Sequence, residues 1–180
     1  DGESTLDLTD NSMIIAGAAS DPQQMLDQVA AQIRSARGAD GQWLGKGLTS
    51  SVAQVNPQMG LALMLNEKDG KPVFSTFAGQ PVTENDILVK YTWNGDVNLD
   101  GMVDGDDYFL VDGGFISQLH GYQNGDVNFD GVVDGDDYFL IDSAFITQTG
   151  VPVARKASAT QPLFSTKPVL DASSSVLSCS

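Results

Sequence analysis

Side chains carrying oxygen recur at one fixed spacing in two places. From Asp96 the chain supplies Asp96, Asn98 and Asp100 at positions 1, 3 and 5 of a twelve-residue run. Gly101 follows at position 6, the carbonyl of Met102 at 7, Asp104 at 9 and Asp107 at 12. The run from Asp126 repeats this with Asp126, Asn128, Asp130, Gly131, the carbonyl of Val132, Asp134 and Asp137. Carboxylate, amide and carbonyl oxygens at these intervals, with glycine where the chain must bend sharply, are what a hard cation with six or seven oxygen ligands requires. Magnesium demands a tighter octahedron and keeps its waters, so two calcium ions are the expected cofactors. Position 12 is Asp in both runs, where sensor loops carry a bidentate Glu. The shorter arm brings one oxygen or draws the following helix closer, which favours a structural site over a switch.

The elements that must hold these oxygens repeat as well. Residues 94 to 118 and 124 to 148 are identical at 19 of 25 positions, and two such units can pack face to face about a pseudo-twofold axis. After each loop, Tyr108, Phe109, Leu110 and Ile116, and then Tyr138, Phe139, Leu140 and Ile146, read as a short helix with an apolar face. Before the first loop, Ile87, Val89, Tyr91 and Trp93 alternate with Leu88, Lys90 and Thr92, a strand pattern that runs straight into the ligand run. The entering helix of an ordinary EF-hand is therefore missing.

A duplicated calcium loop followed by one helix resembles the type I dockerin module, through GDVNLDGMVDGDDYFLVD and GDVNFDGVVDGDDYFLID, about a third of the chain. The resemblance implies a pair of calcium-bound loop-helix units (F-hands) in a secreted bacterial protein, often one that plugs into a cohesin partner. Only the calcium ligands carry over residue by residue. In cellulosomal dockerins the partner is usually read by small hydroxyl residues at loop positions 10 and 11, where this chain has Gly105 and Asp106, then Gly135 and Asp136. Upstream, LDLTDNSMII, WLGKGLTSS and DILVKYTWNGDVNLDG are similar to the C-terminal region of large secreted proteins of planctomycete-type bacteria, which implies an extracellular location.

Charge narrows the partners. The chain has 24 acidic and 9 basic residues, a net charge of −15. Between Asp96 and Asp142 stand twelve Asp and no Lys or Arg. Such a chain repels phosphate backbones and anionic lipid, so nucleic acid is not an expected partner. No apolar run exceeds the five residues Leu61 to Leu65, so no membrane insertion is expected. The lone Cys179 permits no internal disulfide and no Cys-based zinc site. The chain opens at Asp1 without a leader, which reads as a mature product or a piece of a longer protein.

The first ninety residues read as a small α+β unit. Leu6, Leu8, Met13, Ile14 and Ile15 suggest one or two strands within residues 5 to 16. Asp21 is a good N-cap, with Pro22 at the first helical position and Gln24 closing a capping box. Met25, Val29, Ile33 and Ala36 then share a helical face, and Gly38 stops the helix. Leu61 to Leu65 reads as a buried strand, Asp69-Gly70 as a hairpin turn, and Val73 to Phe77 as the partner strand. Residues from Gly150 on, with Pro152, Pro162 and Pro168, show no clear periodicity.

Catalytic signatures are missing. No G-x-S-x-G elbow occurs, and Gly41 to Gly47 only imitates a phosphate loop, with Gly after Lys46 and a spacer one residue short. His120, the one histidine, lies in the linker between the repeats, without the second His or Cys that a triad or zinc site needs. Trp43 and Trp93 could face a carbohydrate, although packing is their commoner use.

The expectation is an α+β fold in three parts. Residues 1–93 form a strand-rich assembly domain with one helix. Residues 94–148 form the dockerin-like calcium pair. Residues 149–180 form an extended tail able to add a strand to a neighbour. Two readings of function stand, neither enzymatic. One is an extracellular structural module, a self-associating subunit of a bacterial surface assembly or filament. The other is a dockerin proper that binds a cohesin-like receptor.

Overall fold

A computed structural model describes residues 4–17 and 21–149. The tail expected over residues 149–180 lies outside the described residues apart from the backbone of Thr149. The fold is α+β.

The chain starts with two short strands, β1 (Thr5–Asp7) and β2 (Ser12–Ile15), as the apolar alternation requires. Helix α1 (Pro22–Arg37) begins where Asp21 accepts the Gln24 N–H at 3.1 Å, with Pro22 pre-set for a first turn. It ends at Gly38, whose N–H returns to the Arg34 carbonyl and whose φ of 68° suits glycine. The face it buries is Leu26, Val29, Ile33 and Ala36. Met25, expected on that face, is only half-buried, because the stripe runs through its neighbour Leu26.

Strand β3 (Gly47–Thr49) pairs in parallel with β1 and packs on α1. The glycines that imitate a phosphate loop have a packing reason here. A Cβ on Gly45 would collide with the Ser35 carbonyl, and one on Gly47 with the Gln32 carbonyl, so these residues let the segment lie against the helix backbone. Strand β4 (Met59–Leu65) is almost wholly buried.

The expected hairpin is corrected by the structure. Asp69 and Gly70 do form a turn, with φ of 54° and 75°. It joins only β5 (Glu67–Lys68) to β6 (Lys71–Pro72). Strand β7 (Thr76–Phe77) pairs with β8 (Gln80–Pro81), so Val73 to Phe77 is not the partner of Leu61 to Leu65. Pro72 lacks the N–H needed to continue a ladder. Asn66, fully buried, then diverts the chain: its amide donates to the Phe74 and Thr83 carbonyls, both at 2.9 Å, and accepts the Phe74 N–H at 2.8 Å.

The true partner is β9 (Ile87–Trp93), which pairs antiparallel with β4 along seven residues and with β2 on its other side. Strand β9 is thus the centre of the order β2-β9-β4. Among the described residues it is the one strand flanked on both edges, which accounts for its run of buried Ile87, Leu88 and Val89. Helices α2 (Gly105–Ser117) and α3 (Gly135–Thr149) follow the two ligand runs.

The hydrophobic cluster is continuous. It runs from Leu26, Ile33, Trp43, Leu61 and Val89 through Val97, Val103 and Val111 to Tyr122, Val133 and Ile141. Each fully buried aliphatic side chain of this set contributes about 1.5–3 kcal/mol. Trp43 is buried within the cluster and Trp93 is half-buried against it, so packing occupies both. No helix among the described residues is long and apolar enough to cross a membrane.

Candidate metal centre

Helices α2 and α3 are tied by reciprocal contacts. The Tyr108 hydroxyl donates to Asp142 at 2.5 Å, and Tyr138, thirty residues later, donates to Asp112 at 2.5 Å. Edge-to-face aromatic pairs repeat the exchange, Tyr108 with Phe145 at 6.0 Å and Tyr138 with Phe115 at 6.1 Å. Two glycines let the units approach. A Cβ on Gly95 would strike Ile141, and one on Gly125 would strike Val111, and both glycines have positive φ, 98° and 107°. The halves therefore sit about a pseudo-twofold axis.

Within each half the ligand run forms the same loop. The position-1 carboxylate accepts the N–H of the position-6 glycine: Asp96 from Gly101 at 2.9 Å, Asp126 from Gly131 at 3.2 Å. The position-3 amide oxygen accepts the position-5 N–H, Asn98 from Asp100 at 2.8 Å and Asn128 from Asp130 at 2.7 Å. Asp100 and Asp130 accept from Met102 and Val132 in turn. Asp104 and Asp134 accept the N–H groups of Asp106 and Asp136, both at 2.9 Å, which places Asp104 as the N-cap of α2.

The position-12 carboxylates organise the loop. Asp107 Oδ1 accepts from the N–H groups of Val97 and Asn98, and its Oδ2 from that of Asp104. Asp137 does the same with Val127, Asn128 and Asp134. The six expected ligand residues of each repeat thus belong to one loop closed by its own hydrogen bonds.

The position-1 side chains stand apart in one respect. Among the described residues only three buried side-chain polar atoms lack a hydrogen-bond partner: Asp96 Oδ1, Asp126 Oδ1 and Gln123 Oε1. Two of the three are the same atom of the same loop position in the two repeats. A buried acceptor left unsatisfied costs about 1–3 kcal/mol, more when charged, and a bound cation is one group that would satisfy such a carboxylate oxygen. No group of three or more Asp, Glu, His or Cys side chains is gathered as a preformed metal site among the described residues. The expected donor set of each loop is four Asp carboxylates with the Asn98 or Asn128 amide and the Met102 or Val132 carbonyl. On the chemistry of that set and the orphaned oxygens, the residues fit calcium.

Burial also acts on the carboxyl groups. It pushes Asp107 and Asp137 up to about 6, against the N–H donors that favour their charged form. It raises Asp96 as well, opposed by the Thr92 hydroxyl and the Lys90 ammonium, and raises Asp126, opposed by the Gly131 N–H.

Several residues at the loops escaped the sequence analysis. Lys90 Nζ lies 3.4 Å from Asp96 Oδ2 and donates to the Leu99 carbonyl at 2.7 Å. Thr92 donates its hydroxyl to the same Asp96 oxygen. Arg37, at the end of α1, reaches the Asn128 carbonyl at 3.4 Å. The Gln148 amide bonds both the N–H and the carbonyl of Val103 in the first loop. Lys90 and Thr92 could have been found, since they alternate with the apolar face of β9 and so point together. Nothing local signals Arg37 or Gln148. His120 is exposed, with Nδ1 2.5 Å from the Gly131 carbonyl, as befits a linker residue.

No family model, no curated protein and no solved structure matches the chain.

Proposed function

We propose that residues 94–148 bind two calcium ions and that the chain is a non-catalytic, extracellular structural module, a subunit of a bacterial surface assembly. The observation that carries the calcium reading is the pair of orphaned oxygens, Asp96 Oδ1 and Asp126 Oδ1, buried at the same position of two loops that otherwise satisfy their own polar groups. The oxygen spacing and the density of negative charge support it. Sites of this kind are adequate at on the order of 10⁻⁴–10⁻³ M calcium, the range of extracellular modules.

The assembly reading is supported by β2, a half-exposed outer strand of the sheet, where an extended segment of another copy could add. Strand β1 is less available for donation, since it pairs with β3 of its own chain. A second reading, a docking module that captures a cohesin-like receptor, draws on α2 and α3. Phe109 and Phe139 are 77% and 70% exposed at equivalent positions, beside a surface rich in Asp.

Size-exclusion chromatography with negative-stain microscopy, in millimolar calcium and then in excess chelator, tests these together. Oligomers or fibres that disassemble in chelator support the assembly. A monomer in calcium moves the function to the docking reading. Isothermal titration that detects no calcium uptake sinks both.

A further inference from the structure

The two loops match in their internal hydrogen bonds, but the groups reaching them from outside differ. Lys90 stands six residues before Asp96, and the equivalent place six residues before Asp126 holds His120. The Lys90 ammonium makes the single salt bridge among the described residues, 3.4 Å from an Asp96 side chain with no exposed surface. It also lies 3.3 Å from where a Cβ on Gly101 would sit, so it is pressed against the bend of the first loop. Its root is fixed because β9 is paired on both edges. Near the second loop the cation stands further off: Arg37 donates to a backbone carbonyl, that of Asn128, and its charge acts on Asp137, Asp126 and Asp130 without a salt bridge to any of them, while the His120 ring meets the Gly131 carbonyl.

A positive charge in contact with the position-1 carboxylate has two effects of one origin. It repels a divalent cation held by that same carboxylate, and it neutralises the carboxylate when the cation leaves. The geometry points to Lys90 as an internal counter-cation that makes the first loop the weaker calcium site and holds its shape in chelator, while the second loop depends on the metal. This rests on the calcium reading above and adds to it a regulation: occupancy of the first site is set by the central strand of the neighbouring sheet. Lys90 is here a tuning residue, not a ligand.

Calcium titration of the full chain, followed by two-dimensional NMR, tests it. The Gly101 and Gly131 amides each donate to the position-1 carboxylate of their own loop, so each signal reports one site. In the wild-type chain Gly131 reaches its midpoint at lower calcium than Gly101. Lys90→Met lowers the Gly101 midpoint about tenfold, the scale of one nearby charge acting on a divalent ion across partly exposed protein, and leaves Gly131 in place. Lys90→Arg, which keeps the charge, stays close to wild type. An unchanged or raised Gly101 midpoint in Lys90→Met, or an equal shift in Lys90→Arg, overturns the tuning role and leaves calcium binding intact. If Lys90→Met does not fold, the wild-type order decides, and Gly101 saturating first or together with Gly131 overturns the inference. Failure of both glycines to respond in the wild-type chain overturns calcium binding itself and the tuning role with it.

Discussion

Asp96 and Asp126 hold the same place in two copies of one motif, and both bury an oxygen without a partner. Around them the molecule differs. Asp96 takes a hydroxyl from Thr92 and an ammonium from Lys90, both on β9. The residue equivalent to Thr92 is Tyr122, which instead turns its buried hydroxyl to the Gly95 N–H at 3.2 Å and so braces the first loop from the second. A duplication copies the contacts a loop makes within itself; it does not copy its surroundings. The first loop is continuous with a strand of the sheet, whereas a short turn of 3-10 helix, Tyr122–Asn124, enters the second.

The largest test of this contrast is calcium withdrawal. In excess chelator, amide exchange across residues 126–137 should rise by more than tenfold, and across residues 96–107 by clearly less, because Lys90 neutralises Asp96. Equal opening of the two loops would erase the contrast; no opening of either would show that the metal is not part of the fold.

Next in size are the glycines on which the symmetry rests. Gly95→Ala and Gly125→Ala each force a positive φ on alanine and drive a methyl into Ile141 or Val111. Each should cost about 1–3 kcal/mol in thermal or denaturant unfolding. The two losses should be alike, since this contact belongs to the repeat. A much smaller loss at one of them would show that the pseudo-twofold interface yields on that side.

Acid acts on both loops in the same sense. Asp107 and Asp137 titrate at about 6 when buried, against the ordinary 3.8. Between these values the folded chain holds more protons than the unfolded one. The contribution of these two groups in chelator is therefore fully present below about pH 4 and lost as pH rises through 6. Calcium needs the ionised form, so its affinity should fall as pH drops below 6. Denaturation curves at pH 4.5 and 7, with and without calcium, should show calcium stabilising strongly only at pH 7. A calcium effect equal at both values would exclude these carboxylates as ligands.

The smallest expected effect is at the reciprocal tyrosines. Tyr108→Phe and Tyr138→Phe each remove one hydrogen bond to an exposed Asp, and each should lower stability by less than about 1 kcal/mol. Their near-equality in unfolding experiments would again mark the symmetric part of the molecule.

Much of the candidate site was legible because its logic is local. Asp107 reaches Val97 and Asp104 within a span of ten residues, and Asp96 reaches Gly101 within five, so the candidate ligand residues follow from intervals along the chain. Helix α1 was legible for the same reason, with its cap three residues from the N–H it satisfies. The strand partner of Leu61 to Leu65 was not. The alternation of Val73 to Phe77 matches a strand as well as that of Ile87 to Trp93 does, and only the absent N–H of Pro72 and the demands of buried Asn66 choose between them.

By itself the sequence determined the α+β class, the two repeated candidate loops, the helices behind them and the acidic charge, all of which follow from spacing, capping and charge over a few residues. Tertiary structure alone decided that β9 lies at the centre of its sheet, that Lys90 reaches one loop and Arg37 the other, and that Gln148 grips Val103. Arg37 and Asn128 are 91 positions apart. No interval along the chain encodes such a meeting; it results from burying the shared apolar face of α1, β4 and β9 in the same cluster as the paired helices.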